Sequence, residues 1–147
     1  MSGEMVKETP ISEYEKTYGE VMAKILGYRS NVSLHRITSP YWDAATYVLT
    51  FYDPAYKKYD KEAVLTHAIN QVMNKLRRDV GYSLREKLAE SLRGILRFLL
   101  DYADRYPSSK AWAVARAIRR SLAEHYYEEV WRYWQEKQEK KAESSKG

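Results

Sequence analysis

Apolar residues return every three or four positions through most of the chain, the spacing that lays one stripe along a helix. The first stripe is Ile11, Tyr14, Tyr18, Val21, Met22, Ile25 and Leu26, with Gly27 placed to cap its end. It predicts a helix over 11–28. Residues 29–39 lose the period, and Val32, Leu34, His35, Arg36 and Ile37 read as extended chain. Ser39 before Pro40 has the form of an N-cap and a first helical proline. A short helix is therefore expected over 40–52, with Tyr41, Ala44, Ala45, Val48, Leu49 and Tyr52 on one side. Asp53-Pro54 ends it, and Tyr56 to Tyr59 reads as a linker.

The pattern is plainer after Asp60, which is placed to cap a helix running to Val80. Val64, Leu65, Ala68, Ile69, Val72, Met73 and Leu76 face inward there, and Gly81 follows. Ser83 and Glu86 have the spacing of a capping box. The helix they open reaches about Tyr106, with Leu84, Leu88, Leu92, Ile95, Leu96, Leu99 and Ala103 inward. Pro107 breaks it, and Ser109 is placed to cap a last helix running to about Lys140. The expected fold is all-α. An N-terminal helical arm (1–59) precedes a long helical hairpin or bundle with an extended aromatic C-terminal helix (60–141), and a small polar tail (142–147) frays. No internal repeat is visible.

Composition narrows the class. With 44% apolar and 31% charged residues in 147, the chain has enough of both for one folded domain. Its longest apolar runs fall far short of the roughly 20 residues that span a bilayer. Met1 to Pro10 carries glutamates and no apolar core of a secretory signal, so the expected location is inside a cell or within a released particle. The absence of cysteine removes disulfides and thiolate metal sites. Together with few glycines and many Glu, Lys and Arg, it also fits a thermophilic source. Fourteen tyrosines and four tryptophans point towards contact surfaces, where aromatic rings bury much area at low rotamer cost.

The net charge of +5 is unevenly placed. Residues 1–60 hold 7 basic and 8 acidic side chains, and residues 121–147 hold 5 and 6. Residues 61–120 hold 13 and 6, a central block of +7 that is the footprint of a polyanion binder. At 100° per residue, the outer face of the helix from Asp60 presents His67, Asn70, Gln71, Asn74, Arg77 and Arg78 without a carboxylate. Amides and guanidinium groups donate to phosphate without repelling it. An ordinary solvated face is the alternative, but such faces mix in glutamates. The next helix is less telling, because Arg93 and Arg97 lie at pairing distance from Glu86, Glu90 and Asp101. Arg85 and Arg105 lie off that row, within reach of a ligand.

The last helix carries two stripes. Ala111, Val114, Ala115, Ile118, Leu122, Tyr126 and Tyr133 face a core. About 140° away run Trp112, Arg116, Arg119, Arg120, Ala123, Tyr127, Val130, Trp131 and Trp134, basic at the start and aromatic at the end. A monomer does not expose three tryptophans along one line without a partner for them. Trp112, Tyr127, Val130, Trp131 and Trp134 are accordingly expected at a subunit interface, with coverage by the N-terminal arm as the alternative.

No phosphate-binding glycine loop, dinucleotide fingerprint or H-E-x-x-H is present. His35, His67 and His125 are far apart, and His125 among Glu124, Glu128 and Glu129 reads as a charged helix face before a metal site. Asp101 and Asp104 form a carboxylate pair with no base or nucleophile beside it. Asn31-Val32-Ser33 matches a glycosylation acceptor but lacks a secretory context. The expectation is a protein without catalysis, cofactor or metal.

The proline-punctuated arm (Pro10, Pro40, Pro54), the hairpin from Asp60 to Tyr106, the aromatic last helix, the small size and the lack of cysteine together resemble the major capsid proteins of filamentous and rod-shaped archaeal viruses with linear double-stranded DNA. The likeness is one of organisation over the whole chain. It implies a virion protein, made in the host cytoplasm, that dimerises with itself or a paralogous capsid protein and coats double-stranded DNA as a helical filament. The contact residues named above come from the face reading and not from the family. Two other classes fit a small, basic, helical chain: a subunit of a CRISPR effector complex holding single strands on exposed aromatics, and a helix-turn-helix regulator turning at Val80-Gly81-Tyr82-Ser83. Against the regulator, the helix after that turn is long for a recognition helix.

Overall fold

The computed structural model describes residues 11–52 and 60–146. They form five helices and no strand: α1 (Ile11–Ile25), α2 (Leu34–Phe51), α3 (Lys61–Lys75), α4 (Tyr82–Arg105) and α5 (Ser108–Lys146). The all-α expectation holds. The expected linker at Asp53-Pro54 and Tyr56 to Tyr59, and the segment Met1 to Pro10, lie outside the described residues.

The helices stack in two layers. α2 lies between α5 and α3 in one layer, and α4 and α1 form the other, with α4 against every other helix and α1 wedged between α4 and α5. The inward stripes meet in a single core, with Tyr18, Tyr41, Leu65, Leu92, Leu99, Leu122 and Tyr126 fully buried. α1 is thus an integral layer of the bundle and not a projecting arm. Glycine permits its closest approaches. A Cβ on Gly19 would stand 2.8 Å from the His125 backbone of α5, and one on Gly94 would stand 2.5 Å from the Tyr14 ring.

Buried tyrosines tie helices to one another, across the layers and within one. Tyr18 donates to the Ile37 carbonyl at 2.8 Å and Tyr41 to the Ala115 carbonyl at 2.8 Å. Burial pushes both phenols well above the ordinary tyrosine range, so they remain donors.

Several boundaries differ from the periodicity. α1 ends at Ile25 in a Schellman motif, with Tyr28 N–H bonded to the Ala23 carbonyl and Gly27 N–H to Lys24, and Gly27 at φ 73°. α2 begins at Leu34, six residues before the expected helix. Ser33 is its cap, accepting from Arg36 N–H at 3.2 Å, and Pro40 sits inside it. The loss of one backbone bond at Pro40 is outweighed by burial of Ile37 and Thr38 on the stripe that continues to Tyr41 and Val48. α3 stops at Lys75, well short of Val80. Arg85 reaches across to the Met73 carbonyl at 2.6 Å and the Arg77 carbonyl at 3.1 Å, and so holds one acceptor that another helical turn would use. Gly81 is the N-cap of α4, which places Ser83 inside the first turn instead of at a capping box. α5 continues through Lys146, past the tail expected to fray.

Candidate nucleic-acid face and aromatic seam

α2 brings the two predicted binding stripes together. Trp42 packs edge-on against Trp112 of α5 at 6.1 Å, and the Arg119 guanidinium lies over the Trp42 ring at 5.2 Å. On its other side Trp42 lines a groove between α2 and α3 with Thr46, Gln71 and Lys75, where Asp43 is the one carboxylate. His67 stands beside Tyr47 at 5.2 Å and contacts Gln71 at 3.4 Å. Asn70 and Asn74 are exposed farther round α3, as are Arg116 and Arg120 on α5. Lys75 is 3.9 Å from Asp43, which partly offsets that single acid. The Thr46 hydroxyl is buried without a hydrogen-bond partner among the described residues. With helix axes about 8–10 Å apart, three adjacent helices give a face about 20 Å across.

Other predicted contacts do not join this face. Arg85 is spent on the C-terminal carbonyls of α3. Arg119 is half-buried, its Nε donating to Thr38 at 3.0 Å, so it braces Trp42 and is not a free cation. Arg77 and Arg78 lie beyond the end of α3, and Arg77 is 3.4 Å from Asp79, so helical periodicity does not place them. Arg105 is exposed at the end of α4, which lies in the other layer. Arg93 and Arg97 are paired, but with Glu62 of α3 (3.6 and 2.9 Å) and not with Glu90 or Asp101. Asp101 and Asp104 instead grip Lys61, with Tyr52 donating to Asp104 at 2.8 Å. The hydrogen bonds that Lys61 donates, to Asp104 first and then to Asp101, hold the lysine above its ordinary range.

The expected subunit interface splits in two. Val130 is buried within the chain and not free for a neighbour, which corrects the expectation for it, and Trp112 is half-buried against Trp42. Tyr126 and Trp134 donate to the carbonyls of Arg29 (2.7 Å) and Tyr28 (2.8 Å), and Tyr127 donates to that of Val32. The carbonyls of the irregular connector 28–32 thus find donor partners on α5, as backbone without secondary structure must. Tyr28 is left-handed at φ 57° and stacks on Tyr133 at 4.0 Å, which helps to hold that strained backbone. Tyr127 (40% exposed), Trp131 (66%) and Trp134 (44%) still present ring surface around Ser30. Trp42 and Tyr28 had no sequence signal as site residues, since their partners lie far away in the chain.

His125 is half-buried, with Nδ1 3.7 Å from Glu128. Among the described residues, no group of three His, Asp or Glu could hold a metal, and no helix is long and apolar enough to cross a membrane. Fold and site together define a two-layer helical bundle with a basic, aromatic-floored face. No protein-family model, curated protein or solved structure matches the chain.

Proposed function

We propose that the chain is a structural subunit, without catalysis, that coats double-stranded nucleic acid through its phosphates and does not read sequence. This is the role of the filamentous-virus capsid proteins that its sequence organisation resembles. The observation that carries the reading is the junction at Trp42, which packs against Trp112 and Arg119 of α5 and lines, with Gln71 and Lys75 of α3, a groove with one acid. Arg116 and Arg120 are exposed on the same helix as Arg119. Guanidinium and amide donors fit a phosphate backbone, whose contacts carry no base sequence. Affinity for duplex of random sequence is expected to fall steeply with salt, because each phosphate contact releases counterions. Arg116→Glu with Arg120→Glu should reduce the slope of log affinity against log salt by about 2, with helicity unchanged. Binding measured by fluorescence anisotropy tests this. An unchanged slope, or one defined site bound far above random duplex, overturns the proposal. Preference for single strands would favour the effector-complex alternative.

A further inference from the structure

We infer that two copies of this chain pair through their α5 helices, antiparallel, about a two-fold axis between Arg132 and Tyr133. This deepens the assembly half of the function proposed above and does not depend on nucleic acid. Arg120, Glu124, Tyr127, Trp131, Trp134, Gln138 and Lys141 alternate in steps of four and three, and all seven are exposed. That is the 3.5-residue seam by which helices pair along their length. The seam is complementary to itself in one direction only. Antiparallel, with Trp131 opposite Trp134 of the second copy, Tyr127 meets Gln138 and Glu124 meets Lys141, and symmetry repeats each layer. In parallel register, Glu124 would face Glu124 and Lys141 would face Lys141, like charges that disfavour the pairing.

A second observation points to the same occupant. α5 runs to Lys146, about 18 Å past Trp134 at 1.5 Å per residue, and residues 135–144 are all exposed. A polar helical segment of this length has little intrinsic stability unless something packs along it. The antiparallel partner lays its own Glu124–Trp131 stretch against it. From the exposed fractions of Tyr127, Trp131 and Trp134, the rings of two copies would remove about 600 Å² from water. That is half of the roughly 1,200 Å² at which stable interfaces begin. The stems of Glu124, Gln138 and Lys141 along about 30 Å of helix add to it.

Sedimentation of the full chain over a range of concentrations, without nucleic acid, tests the pairing. The wild type is expected to show a monomer–dimer equilibrium. Glu124→Lys alone and Lys141→Glu alone should each raise the dimer Kd about tenfold or more, with circular dichroism unchanged. The two changes combined should restore it, since the ion pair is re-formed with its signs exchanged. A monomeric wild type, insensitive single variants, or no rescue by the double variant overturns the inference. A dimer that fails to bind duplex would overturn the coating function and leave the pairing standing.

Discussion

Glu15 is 7% exposed at the α1–α5 contact, and its carboxyl is held above its ordinary value of 4.5. Burial is the largest cause, and the Ser121 hydrogen bond and His125 charge only partly offset it. A carboxyl with a raised folded pKa binds its proton more tightly in the native state than in the unfolded chain. Its cost is absent below pH 4.5 and grows as pH rises from there through the folded value. Glu15→Gln should therefore raise the unfolding midpoint at pH 7 and make little difference at pH 4, as thermal melts at both values would show. Gly19 presents the opposite case, a position where adding atoms does harm. Gly19→Ala gains about 1 kcal/mol of helix propensity, but its Cβ would meet the backbone of His125 and Tyr126, which cannot move aside cheaply. Overpacking costs about 1–3 kcal/mol, so a net loss is expected by chemical denaturation. Gly94→Ala should lose less, because it meets the half-buried Tyr14 ring, a side chain that can turn.

At the scale of elements, polar side chains from one helix finish the ends of another. Arg85 of α4 closes the end of α3, and α5 supplies the donors for the connector between α1 and α2. Arg85→Ala should cost about 1.5–3 kcal/mol, the range for hydrogen bonds from a charged group. Hydrogen exchange in the last turn of α3 should quicken more than in α4. Tyr126→Phe removes one donor and leaves the Arg29 carbonyl without it, for a loss of about 1 kcal/mol. Periodicity shows none of this. It locates the stripe of an element and leaves its ends to capping partners, so α2 and α3 were misplaced by several residues while their buried positions were largely identified.

For the whole molecule, the two arginine pairs should behave differently. Arg93 and Arg97 share Glu62 and connect α4 to α3 on the surface. Replacing both by glutamine should cost less than about 1 kcal/mol, as the loss of exposed pairs does. Denaturation would measure that loss, and the salt slope of duplex binding should stay as in the wild type. The helical class and most of the residues that fill the core are legible along the chain, because amphipathic spacing is a local property set by 3.6 residues per turn. The sequence also marked Arg116, Arg120, Trp131 and Trp134 as outward, since they lie on the side of the turn opposite Leu122. Tertiary structure alone decided which polar and aromatic groups remain available. Arg85, Arg119 and Trp112 looked free along their own helices, yet each is taken up by residues 8 to 81 positions away, and Val130 is buried in the core. Such partners are brought close by the packing of layers, and no pattern within one helix records them.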